Sequence, residues 1–250
     1  DMKHRKIVYI SPGSLGLYDQ HYQEVLNKSA SPNTEIDTIH LSMVEQDKSP
    51  FLSPYPFYHS ELFRAIVDAE NDGYHAAIIG CSADPGLTEA RRMASIPVTA
   101  PLESNLHLAA MMGMKRVSVL VPGTRDESIL YTDLARSYGL EHVIASITPV
   151  DLHYPNSQDL ARMILEEPDE LRNIILECHR TALEGDVLEL AKKVIREDGS
   201  SCIYFGCTLW TGMLEKLAET LGVPVLDPGL GALRLAEILA DHFSASQVSK

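Results

Sequence analysis

Short β-branched runs alternate with longer stretches of helical periodicity along the whole chain, and this alternation constrains the fold more than any other feature. Seven runs predict strands, at residues 7–10, 36–39, 76–79, 117–121, 143–147, 203–205 and 223–226. Between them, helical patterns cover residues 18–27, 60–71, 102–112, 127–138, 158–166, 169–196, 210–221 and 230–243. Runs that are apolar on both faces suit a parallel sheet covered by helices. The chain is therefore predicted to adopt an α/β fold, with one large or two small domains in 250 residues.

Three short motifs recur in the same order in the second part of the chain. The matched pairs are Pro12-Gly13 with Pro122-Gly123, Gly80-Cys81 with Gly206-Cys207, and Pro97-Val98 with Pro224-Val225. Self-similarity of this kind indicates two similar α/β halves. Such halves face each other across a cleft, and open α/β sheets bind ligands at the carboxyl ends of their strands. We therefore expect a site at the strand-to-helix turns 11–14, 81–84, 122–124 and 207–209.

The two Gly-Cys turns indicate proton chemistry. Backbone N–H groups at a helix start stabilise a thiolate and can lower a thiol pKa from about 8.5 to between roughly 3.5 and 7.5. A free cysteine is more often a small buried apolar residue, but a matched pair in matched halves favours a function. Cys178 and Cys202 lie outside such turns and are predicted to be packing residues. No cysteine or histidine spacing indicates a metal site.

Two thiols on opposite sides of a stereocentre can racemise it without a cofactor. One, as thiolate, removes a proton from one side, and the other, as thiol, returns a proton from the other side. The charge of the carbanion must move onto an adjacent carbonyl and meet fixed donors. The predicted donors are the backbone N–H groups after Cys81 and Cys207 and the hydroxyls of Ser82, Thr124 and Thr208.

The residues around both cysteines resemble those of the aspartate/glutamate/hydantoin racemases. Residues 80–87, Gly-Cys-Ser-Ala-Asp-Pro-Gly-Leu, resemble the Gly-Cys-x-x-Asp-Pro-Gly-Leu element of hydantoin racemases. Residues 206–208 resemble the Gly-Cys-Thr element that is common in the superfamily. The similarity of order and spacing runs from residue 7 to about residue 237.

The resemblance implies two pseudo-symmetric domains, residues 1–100 with 224–250 and residues 101–223, each with a four-stranded parallel sheet and the active site in the cleft between them. It also implies a mechanism that needs no cofactor and uses Cys81 and Cys207 as opposed bases. The residues expected to bind the substrate are Pro12, Gly13, Ser82, Ala83, Gly123, Thr124, Thr208 and Leu209. The expected substrate is a carbon acid next to a carbonyl, most readily a 5-substituted hydantoin.

Three alternatives stay open. Amino-acid racemases of the superfamily usually carry Cys-Asn-Thr and often Cys-Thr-His, whereas this chain has Cys-Ser-Ala at 81–83 and Cys-Thr-Leu at 207–209, so aspartate or glutamate fits less well. A decarboxylase or a cis–trans isomerase of the superfamily is a second alternative, although arylmalonate decarboxylases keep only the second cysteine. The third is a binding protein without catalysis, whose two thiols would titrate near or above a free thiol and resist alkylation.

Charge and hydropathy restrict the partners. The chain has a net charge of −14, so nucleic acid and anionic membranes are unfavourable partners. No apolar run reaches the roughly 20 residues of a membrane span, and the first residues do not resemble a signal peptide. Sparse cysteines are typical of a reducing compartment. We expect a cytoplasmic homo-oligomer that acts on a small molecule.

Three further features carry expectations. Residues 50–58 contain four aromatic residues and three prolines, which excludes a regular helix or central strand and indicates a lid, an oligomer contact or a packed surface loop. Asp84 and Asp227, each before Pro-Gly, are predicted to cap the helices that start at those prolines. Together with the aromatic stretch at 50–58, Trp210, three residues after Cys207, indicates a bulky or aromatic substituent on the substrate.

Overall fold

The computed structural model describes residues 4–13, 16–41, 55–123, 125–154 and 157–247. Two parallel sheets organise this part of the chain. The first contains β1 (Arg5–Ser11), β2 (Thr34–His40), β3 (Ala76–Ile79) and β4 (Val98–Thr99). The second contains β5 (Val117–Pro122), β6 (Ile144–Val150), β7 (Cys202–Phe205) and β8 (Val225–Leu226). The predicted α/β class and the two four-stranded parallel sheets are confirmed.

Helices connect and cover these strands, as parallel pairing requires. They are α1 (Asp19–Ser29), α2 (Tyr55–Asn71), α3 (Leu87–Met93), α4 (Pro101–Met111), α5 (Arg125–Ser137), α6 (Ser157–Glu166), α7 (Pro168–Glu184), α8 (Asp186–Asp198), α9 (Glu215–Leu221) and α10 (Pro228–Gln247). Short 3₁₀ turns lie at Glu141–Val143 and Thr208–Trp210. None of the helices in the described ranges is long and apolar enough to cross a membrane.

The two sheets share one topology, which is the structural form of the sequence repeat. The strand order is β2-β1-β3-β4 in the first and β6-β5-β7-β8 in the second. The cysteine-bearing turns therefore follow equivalent strands, β3 and β7, next to the central strands β1 and β5. Because β8 pairs with β7, the second sheet extends to Leu226, beyond the expected boundary at 223. The division into two domains at the stated boundaries stays a prediction.

Apolar side chains on both faces of each central strand hold the helices in place. On β1, Ile7 and Tyr9 pack in one apolar cluster with residues of α1 and α10, while Val8 and Ile10 pack in a second cluster with α2 and α3. All four side chains are at most 1% exposed. This two-sided burial explains why the strand has no polar and apolar alternation.

The structure corrects three local predictions. The single helix predicted over 169–196 is two helices, α7 and α8, which meet at Gly185. The segment expected to be irregular contains the start of α2 at Tyr55, because Pro56 lies in the first turn, where a missing N–H costs nothing. Tyr58 is completely buried in the second cluster, so this residue does not belong to a lid or an exposed contact surface. Residues 50–54 lie outside the described residues.

Candidate active site

Both cysteines lie in the turn that follows the third strand of their sheet. Cys81 comes two residues after the end of β3, and Cys207 two residues after the end of β7. The preceding glycines are fixed in the same way, since Gly80 N–H donates to the Ile10 carbonyl at 2.8 Å and Gly206 N–H donates to the Leu120 carbonyl at 2.7 Å. The matched Gly-Cys motifs thus occupy matched positions at the carboxyl edges of the two sheets.

Glycine is required before each cysteine because a neighbouring side chain occupies the space that a Cβ atom would need. A Cβ atom at position 80 would lie 2.5 Å from a ring carbon of Tyr9, and one at position 206 would lie 2.6 Å from a methyl carbon of Val121. Neither glycine needs a left-handed backbone. These glycines allow close packing beneath the cysteines rather than an unusual turn.

A hydrogen bond connects the two Gly-Cys turns. The Thr208 hydroxyl donates to the carbonyl of Gly80 at 3.3 Å, although the two residues belong to turns of different sheets. Because its proton is used there, Thr208 Oγ1 accepts from the Tyr22 hydroxyl at 3.1 Å. The carbonyl of Gly206 accepts a corresponding bond from the Tyr131 hydroxyl at 2.8 Å. In this arrangement the Thr208 hydroxyl positions the two turns and does not have a proton left to donate to a substrate.

Burial controls the resting state of both thiols. It raises the pKa of Cys81 to about 12, against the opposing effect of the Ala83 N–H, and the charges of Asp84 and Cys207 raise it further. Burial also raises the pKa of Cys207 to about 11, opposed by the Leu209 N–H. The predicted lowering of the thiol pKa values is therefore wrong. The expected N–H groups are present, but α3 begins only at Leu87 and a single 3₁₀ turn follows Cys207, so no long helix dipole offsets the desolvation.

Two tyrosines that the sequence analysis missed lie beside both cysteines. Tyr9 on β1 and Tyr204 on β7 are completely buried, and burial raises the pKa of both hydroxyls. The charges of both cysteines raise it further, after the charge of Asp84 in the case of Tyr204. The hydroxyls of Tyr9, Tyr204 and Ser82 are shielded from solvent, and none of them has a hydrogen-bond partner among the described residues. Tyr204 lies on β7, which directly precedes the Gly206-Cys207 motif, and this position could have identified it, whereas Tyr9 is distant in sequence from both motifs. Both phenols remain protonated donors at neutral pH.

The other predicted binding residues lie at the same edges. Pro12 and Gly13 follow β1 and are buried, and the Gly13 carbonyl accepts a 3.5 Å bond from the Ser11 hydroxyl. Gly123 follows β5 and is exposed, and its N–H donates to Val150. Ser82, Ala83 and Leu209 are buried beside the cysteines. Thr124 lies outside the described residues.

Asp84 stabilises the Cys81 turn, but it does not cap the helix expected. Its carboxylate accepts bonds from the N–H groups of Leu102 and Glu103, at 2.9 and 2.8 Å, and so caps α4 rather than α3. Its φ of 46° turns the chain away from a helix at Pro85. Asp227 caps α10 as predicted, through a 3.0 Å bond from the Leu230 N–H. Burial raises the pKa of Asp84 to about 7 and that of Asp227 to about 6.

Trp210 does not line an open site. It is completely buried, with edge-to-face contacts to Phe205 and His179 at centroid distances of 5.5 and 5.3 Å. The aromatic substituent that it indicated is therefore not supported. Cys202 is buried in the core of the second sheet, as predicted for a packing residue. Cys178 lies partly exposed on α7, with its sulfur 3.7 Å from the His153 carbonyl.

Comparison with known proteins agrees with this geometry. Residues 7–236 match the family model Asp/Glu/Hydantoin racemase. The hydantoin racemase of Pseudomonas sp. (strain NS671) is 26% identical over 239 residues, which cover 94% of this chain and 86% of that protein. The hydantoin racemase of Paenarthrobacter aurescens is 28% identical over 240 residues, covering 94% and 90%.

A solved structure shows the same fold. Allantoin racemase from Klebsiella pneumoniae superposes with a TM-score of 0.75 at 24% identity, over 95% of this chain and 88% of that one. The family match covers nearly the whole chain, including both Gly-Cys turns. The chain therefore belongs to the Asp/Glu/hydantoin racemase family, and its activity class is that of an isomerase.

Proposed function

We propose that the chain is a cofactor-independent racemase that uses Cys81 and Cys207 to invert a carbon acid next to a carbonyl, with 5-substituted hydantoins as its substrates. The observation that carries this proposal is the hydrogen bond from Thr208 to the Gly80 carbonyl, which keeps the two Gly-Cys turns next to each other. The hydantoin racemases among the relatives support the choice of substrate.

The chemistry follows from the positions of the two thiols. One sulfur, as thiolate, takes the proton from C5 of the hydantoin, and the electron pair moves onto the neighbouring carbonyl oxygen. The other thiol then gives its proton to the opposite face of C5. The first sulfur ends as a thiol and the second as a thiolate, so the total charge and the number of protons are unchanged. Each positioned acid or base contributes about 10²–10⁴-fold to the rate.

Buried donors are available for the enolate that forms between these steps. The hydroxyls of Tyr9 and Tyr204 stay protonated because burial raises the pKa of both. Donors held in a water-excluded site stabilise a developing oxyanion more strongly than water does. We therefore propose these tyrosines as the groups that replace the predicted hydroxyl of Thr208 in this role.

The raised thiol pKa values also fit a protein that only binds a ligand, so they do not themselves favour catalysis. Membership of a racemase family favours it, and so do the N–H groups of Ala83 and Leu209, which lower the pKa of the two sulfurs. At pH 8 a thiol with a pKa of about 11 is ionised in about one molecule in a thousand. Such a population lowers the rate without preventing turnover.

Loss of optical rotation from a single-enantiomer hydantoin tests the proposal. We expect the rotation of L-5-benzylhydantoin to decay to zero without added metal or cofactor, and that of L-aspartate to persist. Cys81→Ser and Cys207→Ser should abolish the decay, whereas Cys178→Ser, a change of the same atoms on α7, should retain it. Decay with L-aspartate alone would favour the amino-acid racemase alternative, and decay with neither would contradict the proposal.

We also propose that the protein works as a cytoplasmic homo-oligomer on a small molecule, without nucleic acid or a membrane as partner. Light scattering coupled to gel filtration measures the mass of the particle directly. A particle with the mass of a single 27.6 kDa chain would contradict the oligomer.

A further inference from the structure

The hydroxyl of Tyr18 is buried in the part of the core against which Cys207 packs, and it has no hydrogen-bond partner among the described residues. Tyr18 immediately precedes α1, and its side chain is 4% exposed. It packs in an apolar cluster with Leu209, and Cys207 packs against the same cluster. The phenolic oxygen is shielded from solvent and remains without a partner there. A buried polar group of this kind is destabilising unless another molecule satisfies it.

A second phenol reaches the same place from another element. Tyr154 lies in the segment after β6 and packs against the cluster that contains Tyr18. Its hydroxyl lies 2.8 Å from Nε2 of His179, a completely buried residue of α7. Burial and the nearby His21 lower the pKa of His179 to about 4, so the ring is neutral at neutral pH. The Tyr154 ring is thus fixed by a neutral partner.

Both phenols lie on the Cys207 side of the site, because Tyr18 belongs to the apolar cluster against which Tyr154 and Cys207 pack, whereas Cys81 is not among the residues of that cluster. After burial, the charge of Cys207 is the largest effect that raises the pKa of Tyr18 and of Tyr154, and Cys81 does not contribute to either. By contrast, both cysteines act on Tyr9 and Tyr204. A substrate whose reacting carbon lies between the sulfurs would therefore meet Tyr9 and Tyr204 with its ring, and Tyr18 and Tyr154 with a group that extends past Cys207.

We propose that Tyr18, with the ring of Tyr154 packed against the same cluster, forms a polar subsite beside Cys207 that binds a carbonyl oxygen on the 5-substituent of the hydantoin. This inference rests on the proposed function and specifies its substrate class. A protonated, buried phenol donates to a neutral oxygen, whereas a purely hydrocarbon substituent would leave the Tyr18 hydroxyl without a partner. The subsite therefore favours hydantoins with an acceptor in the side chain over isosteric alkyl hydantoins.

Two hydantoins of the same shape test this preference. In 5-(2-carbamoylethyl)hydantoin the substituent ends in an amide, and in 5-(3-methylbutyl)hydantoin two methyl groups replace the amide oxygen and nitrogen. We expect the wild-type protein to have the higher kcat/KM for the amide. Tyr18→Phe should lower kcat/KM for the amide about fivefold to tenfold through KM, and leave the alkyl compound unchanged, because a single neutral hydrogen bond is lost.

Tyr74→Phe is the matched control, since Tyr74 donates to Asp37 on β2, far from both cysteines, and its loss should leave the ratio of the two substrates unchanged. Equal losses on both hydantoins in Tyr18→Phe, or no loss on either, would overturn the subsite while leaving the proposed function intact. A wild-type protein that racemises 5-benzylhydantoin but neither of these compounds would overturn the subsite alone, and one that racemises none of the three would overturn the proposed function as well.

Discussion

The turn that carries Cys81 and the turn that carries Cys207 start alike and then differ. Both follow a glycine whose N–H is bonded to the neighbouring central strand. After Cys81 the chain passes a buried carboxylate, Asp84, whereas after Cys207 it forms a 3₁₀ turn with no carboxylate acting on the sulfur. The charge of Asp84 is one reason why the pKa of Cys81 is about 12 and that of Cys207 about 11. The repeated motif thus provides two thiols, and the residues after it make them unequal.

The polar surroundings of the two cysteines differ as well. After burial, the charge of Cys207 contributes to the raised pKa of three tyrosines, and Cys81 does not contribute. These tyrosines are Tyr18, Tyr22 and Tyr154. The side of Cys81 instead carries the small residues Ser82 and Ala83, both buried. A pseudo-symmetric fold can therefore invert a stereocentre while it distinguishes the groups attached to that centre, because Tyr9 and Tyr204 are shared by both cysteines and these further phenols lie on one side only.

Replacing either cysteine should have the largest effect. We expect Cys81→Ser and Cys207→Ser each to lower kcat/KM by at least about 10³-fold, because each removes one of two proton-transfer groups. In deuterated water, each variant should still exchange the C5 proton of one enantiomer, the one whose C–H points at the remaining cysteine. Mass spectrometry of each enantiomer, incubated separately, measures this. Exchange of the same enantiomer by both variants would show that the thiols do not act on opposite faces.

The pH dependence of the wild-type reaction should show the next largest effect. Because both thiol pKa values are raised, the thiolate fraction increases about tenfold for each pH unit below about 11. We therefore expect kcat/KM to rise about a hundredfold between pH 7 and pH 9, without a plateau, in a stopped-flow polarimetric or circular dichroism assay. A plateau near pH 7 would mean that a thiol with a lowered pKa carries the reaction.

Replacing Gly80 or Gly206 by alanine tests how tightly neighbouring side chains pack against each turn. Gly80→Ala places a Cβ against the Tyr9 ring, and Gly206→Ala places one against a Val121 methyl group. Overpacking of this kind costs about 1–3 kcal/mol of unfolding free energy. The larger loss is expected for Gly80→Ala, since a buried aromatic ring moves less easily than a valine side chain. Urea unfolding gives both values, and the opposite order would contradict the comparison.

Asp84→Asn should have the smallest effect and should make the two turns more alike. Without the carboxylate charge, the pKa of Cys81 should fall toward that of Cys207, which shifts the alkaline limb of kcat/KM to lower pH. Cys81 alkylation rates at several pH values measure the shift. An unchanged alkylation profile would show that the charge of Asp84 does not act on Cys81.

The same variant has a consequence for stability. The folded pKa of Asp84, about 7, lies above its ordinary value of 3.8, so the carboxyl stabilises the fold while protonated and this contribution is lost as pH rises from about 4 to about 7. Asp84→Asn should flatten the fall in unfolding free energy over that window. Asp227→Asn, at the matched position in the chain, should flatten it only up to about pH 6. Identical pH profiles for wild-type and Asp84→Asn would contradict the raised pKa.

The fold class was predictable because β-branched runs alternate with helical patterns, and the repeated motifs indicate two similar halves. The Gly-Cys and Pro-Val motifs identified the equivalent strands, although β4 is only two residues long and was not predicted as a strand. The break of the long helix at Gly185 was missed since the apolar periodicity continues across it. Pro56 was read as a helix breaker because sequence alone does not show that it lies in the first turn.

The site was predictable only in part. The glycines and cysteines stand next to each other in the chain, so their pairing is visible in the sequence. The effect of burial on the thiols is not, because it depends on residues such as Tyr9, which lies on a strand distant in sequence from both cysteines. The Thr208 hydroxyl was expected to face the substrate and instead bonds to Gly80, a partner 128 residues away. Contacts between the two halves are what a local pattern does not contain.

Deuterium transfer during the first turnovers tests the two-cysteine mechanism most directly. The wild-type protein is incubated in deuterated water with one enantiomer of a 5-substituted hydantoin. At low conversion both enantiomers are separated, and the deuterium content of each is measured by mass spectrometry. If one thiol removes the proton and the other delivers a deuteron, the newly formed enantiomer carries deuterium at C5 while the unreacted enantiomer does not. A newly formed enantiomer that retains the original proton would contradict two opposed cysteines.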